Sequence, residues 1–208
     1  TPLHVAARKG NVKVSRALIL AGASVDSRGE QSTTPLIDAC KNGHAEVARV
    51  LLAYGADVNA AAQNGWGSAH HAAHEGRQEA MQALLEAAAD LERRTTGKRF
   101  SALDMAVRGG HHGVVKILVK HVDVNTGNGR GNTSLHEAAI AGQALLMRTL
   151  LGNGALVDGD LSSRGFSPLH AAARHNFAAG VRILVQAGAD LERRDALGRT
   201  PLHYACSK

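Results

Sequence analysis

The sequence predicts an all-α solenoid, built of short antiparallel helix pairs stacked on one another and joined by hairpin-like loops. Three observations predict it. A seven-residue motif returns through the 208 residues with starts at 1, 34, 67, 101, 133, 167 and 200, spaced 33, 33, 34, 32, 34 and 33. Aromatic residues are 3% of the chain against 44% apolar, so the core must be filled by Ala, Leu and Val, a composition that favours helices. Glycine stands nine residues after the first residue of most motifs, at Gly10, Gly43, Gly76, Gly110 and Gly142. There it permits the left-handed turn that stops a short helix.

Each unit reads in the same order. The first residue is Thr or Ser in six of the seven motifs, as in Thr1-Pro2-Leu3-His4, Thr34-Pro35-Leu36-Ile37 and Ser167-Pro168-Leu169-His170. Its hydroxyl suits a helix N-cap, and proline at the next position loses nothing because that N–H has no helical partner. Leu and Ala then line one face of the first helix. The second helix carries apolar residues at helical spacing, as in Val47, Val50, Leu51 and Leu52. Gly22, Gly55, Gly154 and Gly188 end it, and polar stretches such as Asp57-Val58-Asn59 lead through a loop to the next Thr. One unit cannot bury its apolar face alone, so the units must stack.

These motifs resemble the ankyrin repeat, over six units and the start of a seventh. The resemblance covers essentially all of 1–208, read as a single ankyrin-repeat domain and as a segment of a longer protein. It implies a non-catalytic scaffold that binds a protein partner through a concave face. It also implies that the motif histidines, His4, His70, His136, His170 and His203, are structural and hydrogen-bond the neighbouring loop. Three departures are local. Asn176 and Ala88 stand at helix-ending glycine positions, and His121 does so in a unit one residue short, predicting an irregular turn at 121–123. The segment ending Gly55-Ala56-Asp57-Val58-Asn59 further resembles ankyrin hairpins that an asparaginyl hydroxylase modifies, making Asn59 a hydroxylation candidate against the reading that it merely turns the chain.

Other chemistries find little support. His70 and His74 lie four apart on one helix, a spacing that brings two imidazoles together, but His70 belongs to the motif and no Cys or acid completes a metal set. His111-His112 receives the same structural reading. Cys40 and Cys206 fall at the small-residue position of the first helix, predicting buried, unreactive thiols. The stretch Gly127-Asn128-Gly129-Arg130-Gly131 lacks the strand and spacing of a phosphate-binding fingerprint and reads as a flexible inter-repeat loop. No nucleophile–base pair stands out. The expectation is no enzyme activity, no cofactor and no metal.

Function should therefore lie in residues that the repeat does not dictate. Just before the caps stand Thr33, Trp66, Phe100, Asn132, Phe166 and Arg199, and half of the chain's six aromatics share this register. They read either as binding hot spots or as packing against the next loop. The first-helix ends bring Lys41, His74, Arg108 and Arg174, and the loop tips add Lys98, Arg99, Arg130 and Arg164. Those cations read either as a binding ridge or as a solvated rim. Trp66 and Phe100, one repeat apart, should lie about 10 Å from each other by the helix-stacking distance, with Lys41, Arg108 and Arg130 on the same side. The expected partner is an acidic or mixed protein segment. The alternative is a nucleotide- or phosphate-sensing array, with bases stacked on Trp66 and Phe100 and phosphates held by cations.

Composition bounds the rest. The net charge of +6 points to acidic partners without demanding nucleic acid. No apolar run approaches the roughly 18 residues a membrane span needs. Two cysteines cannot build a disulfide framework, which favours an intracellular protein, cytoplasmic or nuclear. A monomer is expected.

Overall fold

A computed structural model describes residues 1–159 and 165–206. Among them lie 13 α-helices and no strand, apart from an isolated antiparallel bridge between Ala61 and Gly67. The first helices of the repeats are α1 (Pro2–Arg8), α3 (Pro35–Asn42), α5 (Ser68–His74), α7 (Ala102–Arg108), α9 (Ser134–Ile140), α11 (Pro168–Arg174) and α13 (Pro201–Ala205). The second helices are α2 (Val12–Leu20), α4 (Ala45–Ala53), α6 (Gln78–Glu86), α8 (His112–Leu118), α10 (Ala144–Gly152) and α12 (Ala178–Gln186). The chain forms two compact units, Thr1–Leu118 and Val119–Lys208.

In the first unit α1, α3, α5 and α7 pack in series, and α2, α4, α6 and α8 form a second row. In the second unit α9, α11 and α13 pack in series, with α12 against α10. The core is aliphatic: Leu3, Leu36, Leu51, Met81, Leu84 and Leu118 in the first unit, and Leu135, Leu146, Met147, Leu150 and Leu184 in the second, are all essentially inaccessible. Within each unit the motif leucines Leu3, Leu36, Leu135 and Leu169 lie under the next layer and are at most 2% exposed. Leu202 occupies the same position on α13, where no described element follows, and is 69% exposed. Cys206 departs from expectation for the same reason: Cys40 is buried, with its thiol pushed up to about 12 by burial, whereas Cys206 is exposed.

The loops close as hairpins. The backbone N–H of Gly29, Ala62, Thr95, Asn128 and Asp195 donates to the carbonyl just before the next cap, at Thr33, Trp66, Phe100, Asn132 and Arg199. The glycine-rich stretch around Asn128 is therefore a pinned turn rather than a flexible loop. Asn128 Oδ1 accepts from Arg130 N at 2.9 Å, and its amide donates to the buried Glu137 carboxylate at 2.9 Å.

Where the sequence departs from the repeat, the backbone records it. Asn176 takes the left-handed conformation at φ 53°, as its short polar side chain allows. The unit with His121 has a second helix of seven residues where the others have nine, and the boundary between the two compact units follows α8 directly. Ala88 is forced to φ 54°, where its Cβ crowds the backbone. Ala88→Gly should therefore raise stability by about 0.5–1 kcal/mol, the relieved strain less the extra freedom of an unfolded glycine. A lower urea midpoint would contradict that assignment.

Candidate functional site

The motif histidines come first because they fix the geometry around them. His136 Nδ1 accepts from the backbone N–H of its own cap, Thr133, at 3.1 Å. That leaves the proton on Nε2, which donates to the carbonyl of Phe166 in the next repeat at 2.8 Å. His170 does the same between Ser167 N, at 3.0 Å, and Arg199 O, at 3.0 Å. His70 spans Gly67 N and Arg93 O, and the ring of His4 reaches Thr33 O at 3.1 Å. Burial lowers the His136 pKa to about 4 and pulls those of His70 and His170 below their ordinary value. The neutral rings of His70, His136 and His170 are clamps between repeats, and both ring nitrogens of His70 are already engaged. His44 and His111 form a second set, reaching back to the carbonyls of Arg8 and His74 at 2.9 and 2.7 Å.

Two units lack a motif histidine, with Ile37 and Asp104 at its position, and the second of them solves the problem differently. Asp104, wholly buried, caps Ser101 N at 2.9 Å, and Arg94 from the preceding loop lies 3.7 Å from its carboxylate. Arg94 also belongs to a repeated clamp that the sequence did not disclose. Arg28, Arg94 and Arg194 each donate to a carbonyl at the tip of their own hairpin, at Ser32, Arg99 and Gly198.

In the first unit, the expected site residues split. Trp66 is half-buried, its ring 5.0 Å from His71 and 5.4 Å from His74. Burial, together with the charge of Lys41, lowers His71 to about 4, so Lys41 belongs to the same neighbourhood. Lys41 also acts on Asp38, whose pKa is raised by burial despite its ion pair with Arg8 at 3.2 Å. Phe100 is not an exposed aromatic. It is 8% exposed, with the Arg108 guanidinium 4.8 Å above its ring, because its backbone N–H is drawn in by Thr95 Oγ1 and its carbonyl closes the hairpin. A base would find little free face on Phe100. Asn59 accepts the N–H of Asp90 at 2.8 Å through Oδ1, so its side chain bridges two repeats as well as turning the chain.

In the second unit, Arg130, Phe166, Arg174 and Arg199 line one cleft of about 860 Å³. Its wall is ordered by residues that the repeat did not single out. Asp195 accepts from Arg199 Nε at 3.0 Å and Nη2 at 2.9 Å, and from the Tyr204 hydroxyl at 2.7 Å; Arg199 and Tyr204 are also in contact. Burial alone would raise the Asp195 carboxyl, but the hydrogen bonds from Tyr204 and Arg199 outweigh it and hold the group well below the usual carboxylate range. Phe166 meets Tyr204 edge-on at 5.5 Å, and Arg199 sits 4.4 Å above the Tyr204 ring. Ile140 and Leu197 add apolar lining, and Leu197 is 74% exposed. The one signal for Tyr204 was positional: it is the fifth residue of its motif, where other units carry Asp38, His71 and Glu137. Arg164 lies outside the described residues. Among the described residues, no group of three His, Cys, Asp or Glu side chains is placed to hold a metal ion, and no helix is long and apolar enough to cross a membrane.

Stacked helix pairs with histidine clamps and hairpin tips define a repeat scaffold. The chain belongs to the ankyrin-repeat family: the family model, ankyrin repeats (3 copies), matches residues 3–95, 69–160 and 135–208. The human ASB11 ankyrin repeat domain is similar over 100% of this chain and 93% of its own, with TM-score 0.89 and 31% identity. The ankyrin repeat domain of Bcl-3, a member of the IκB family, is similar over 99% and 93%, with TM-score 0.88 and 29% identity. Among curated relatives, alpha-latrotoxin-Lg1a of Latrodectus geometricus is 34% identical over 87 residues, 41% of this chain and 6% of the toxin. Rabankyrin-5 of Mus musculus is 32% identical over 116 residues, 50% of this chain and 10% of its own length. The chain thus spans a small fraction of these relatives. Ankyrin repeat domains generally mediate protein–protein interaction and are typically non-enzymatic scaffolds.

Proposed function

We propose that the chain is a non-catalytic scaffold that holds an acidic or mixed segment of a protein partner, with the cleft of the second unit as its principal seat. One observation carries the reading: Arg130, Phe166, Arg174 and Arg199, positions the repeat leaves free, converge on a single cleft. Phe166 offers ring surface, backed by the buried Tyr204, and the guanidiniums offer charge-assisted hydrogen bonds to carboxylates. Trp66, His74, Lys41 and Arg108 form a second contact region on the first unit, and Trp66 supplies a spectroscopic reporter for it.

Peptides selected by phage display on the purified chain test this. They should be enriched in Asp and Glu, and Phe166→Ala or Arg174→Glu should weaken them at least tenfold, about 1.4 kcal/mol. Charge reversal should act mainly on association and grow weaker with salt. Peptides that keep full affinity for both folded variants would remove the cleft from the interface.

A further inference from the structure

The charge and shape of the cleft narrow the ligand class. Its cations are all arginine, at 130, 174 and 199, and its one acid is Asp195, leaving a net charge of +2 at neutral pH. The Asp195 carboxylate is held ionised and tied to Arg199 and Tyr204, so it fixes that wall while offsetting one positive charge. Guanidinium forks match tetrahedral oxyanions and carboxylates in a bidentate way that an ammonium group does not. A single phosphorylated side chain brings −1.5 to −2 charge and three acceptor oxygens to one point, and an Arg cluster is its natural counterpart. Beside the arginines, Phe166 and Leu197 leave room for an apolar neighbour in the same segment.

We infer that the cleft of the second unit recognises a phosphorylated serine or threonine in its partner segment, with Arg130 and Arg174 gripping the phosphate and an adjacent apolar residue resting on Phe166 and Leu197. The inference rests on the groove reading above. The test uses three degenerate nine-residue peptide libraries that differ only at a fixed central residue: phosphoserine, glutamate or serine. Binding to the chain is read by fluorescence anisotropy at about 0.15 M salt. The phosphoserine library should bind at least tenfold tighter than the glutamate library. Arg174→Gln or Arg130→Gln should erase that preference, while Arg182→Gln, outside the cleft, should leave it intact. Equal binding of phosphoserine and glutamate libraries would overturn phosphate selectivity and leave an acidic groove standing. A phosphoserine preference that survives both cleft variants would place the phosphate elsewhere. Failure of the phosphoserine library to bind overturns the inference, and the phage-selected peptides then report separately on the groove.

Discussion

Leu135→Ala should destabilise the chain by about 2–5 kcal/mol, the cost of deleting a buried leucine and leaving a cavity. Leu135 is inaccessible on α9, between the cap contacts of its own repeat and the packing of α11. An aliphatic core with so few rings has no large side chain to relax into the space. The same substitution at the same motif position gives an internal control. Leu202 is 69% exposed, so Leu202→Ala should change stability by less than about 0.5 kcal/mol. Urea titrations followed by far-ultraviolet circular dichroism compare the two. Equal midpoint shifts would show that motif position, rather than coverage by the next layer, sets the cost.

The second large effect is pH. His136 is neutral in the folded chain because protonation would place a proton on Nδ1, against the Thr133 N–H it accepts from. Its pKa falls from 6.5 to about 4, with burial as the main cause. A histidine depressed in this way contributes stability in full above pH 6.5, and that contribution is lost as pH falls from 6.5 through about 4. The complete shift is worth about 3 kcal/mol, of which about 2 kcal/mol is gone by about pH 5. His70 and His170 move in the same direction. The stability difference between about pH 7.5 and 5 should shrink by about 2 kcal/mol in His136→Gln, which cannot titrate there. An unchanged difference would mean that His136 is not the titrating clamp.

The fold was legible because its cause is periodic. Caps, prolines, leucines and glycines recur at fixed offsets, and each offset maps onto one local geometry that tolerates few residue types. Two of the exceptions could be read, since Asn176 and Ala88 had to fill left-handed positions, but the unit one residue short, expected to have an irregular turn at 121–123, also has a shorter second helix. The candidate site was legible only as a set of positions. Register marks Phe100 and Phe166 alike, yet one is drawn inward under Arg108 while the other opens onto a cleft. Those outcomes depend on side chains that no period relates, such as Thr95 against Phe100 or Asp195 against Arg199. Asp195 and Tyr204 escaped notice because their partnership is made by a hairpin and a helix folding back on each other. The exposure of Cys206 and Leu202 likewise depends on coverage, which a motif does not encode.

The loop bridges carry a direction. Asp26, Asn59, Asn125 and Asp158 each accept a backbone N–H from the following repeat, at Asp57, Asp90, Leu156 and Asp190, 31 or 32 residues downstream. In every case the earlier residue supplies the side chain and the later one only its peptide group. As a nascent chain emerges from its amino end, the acceptor is therefore already in place when its donor leaves the ribosome. Each of these four side chains is thus made before the peptide group that it holds.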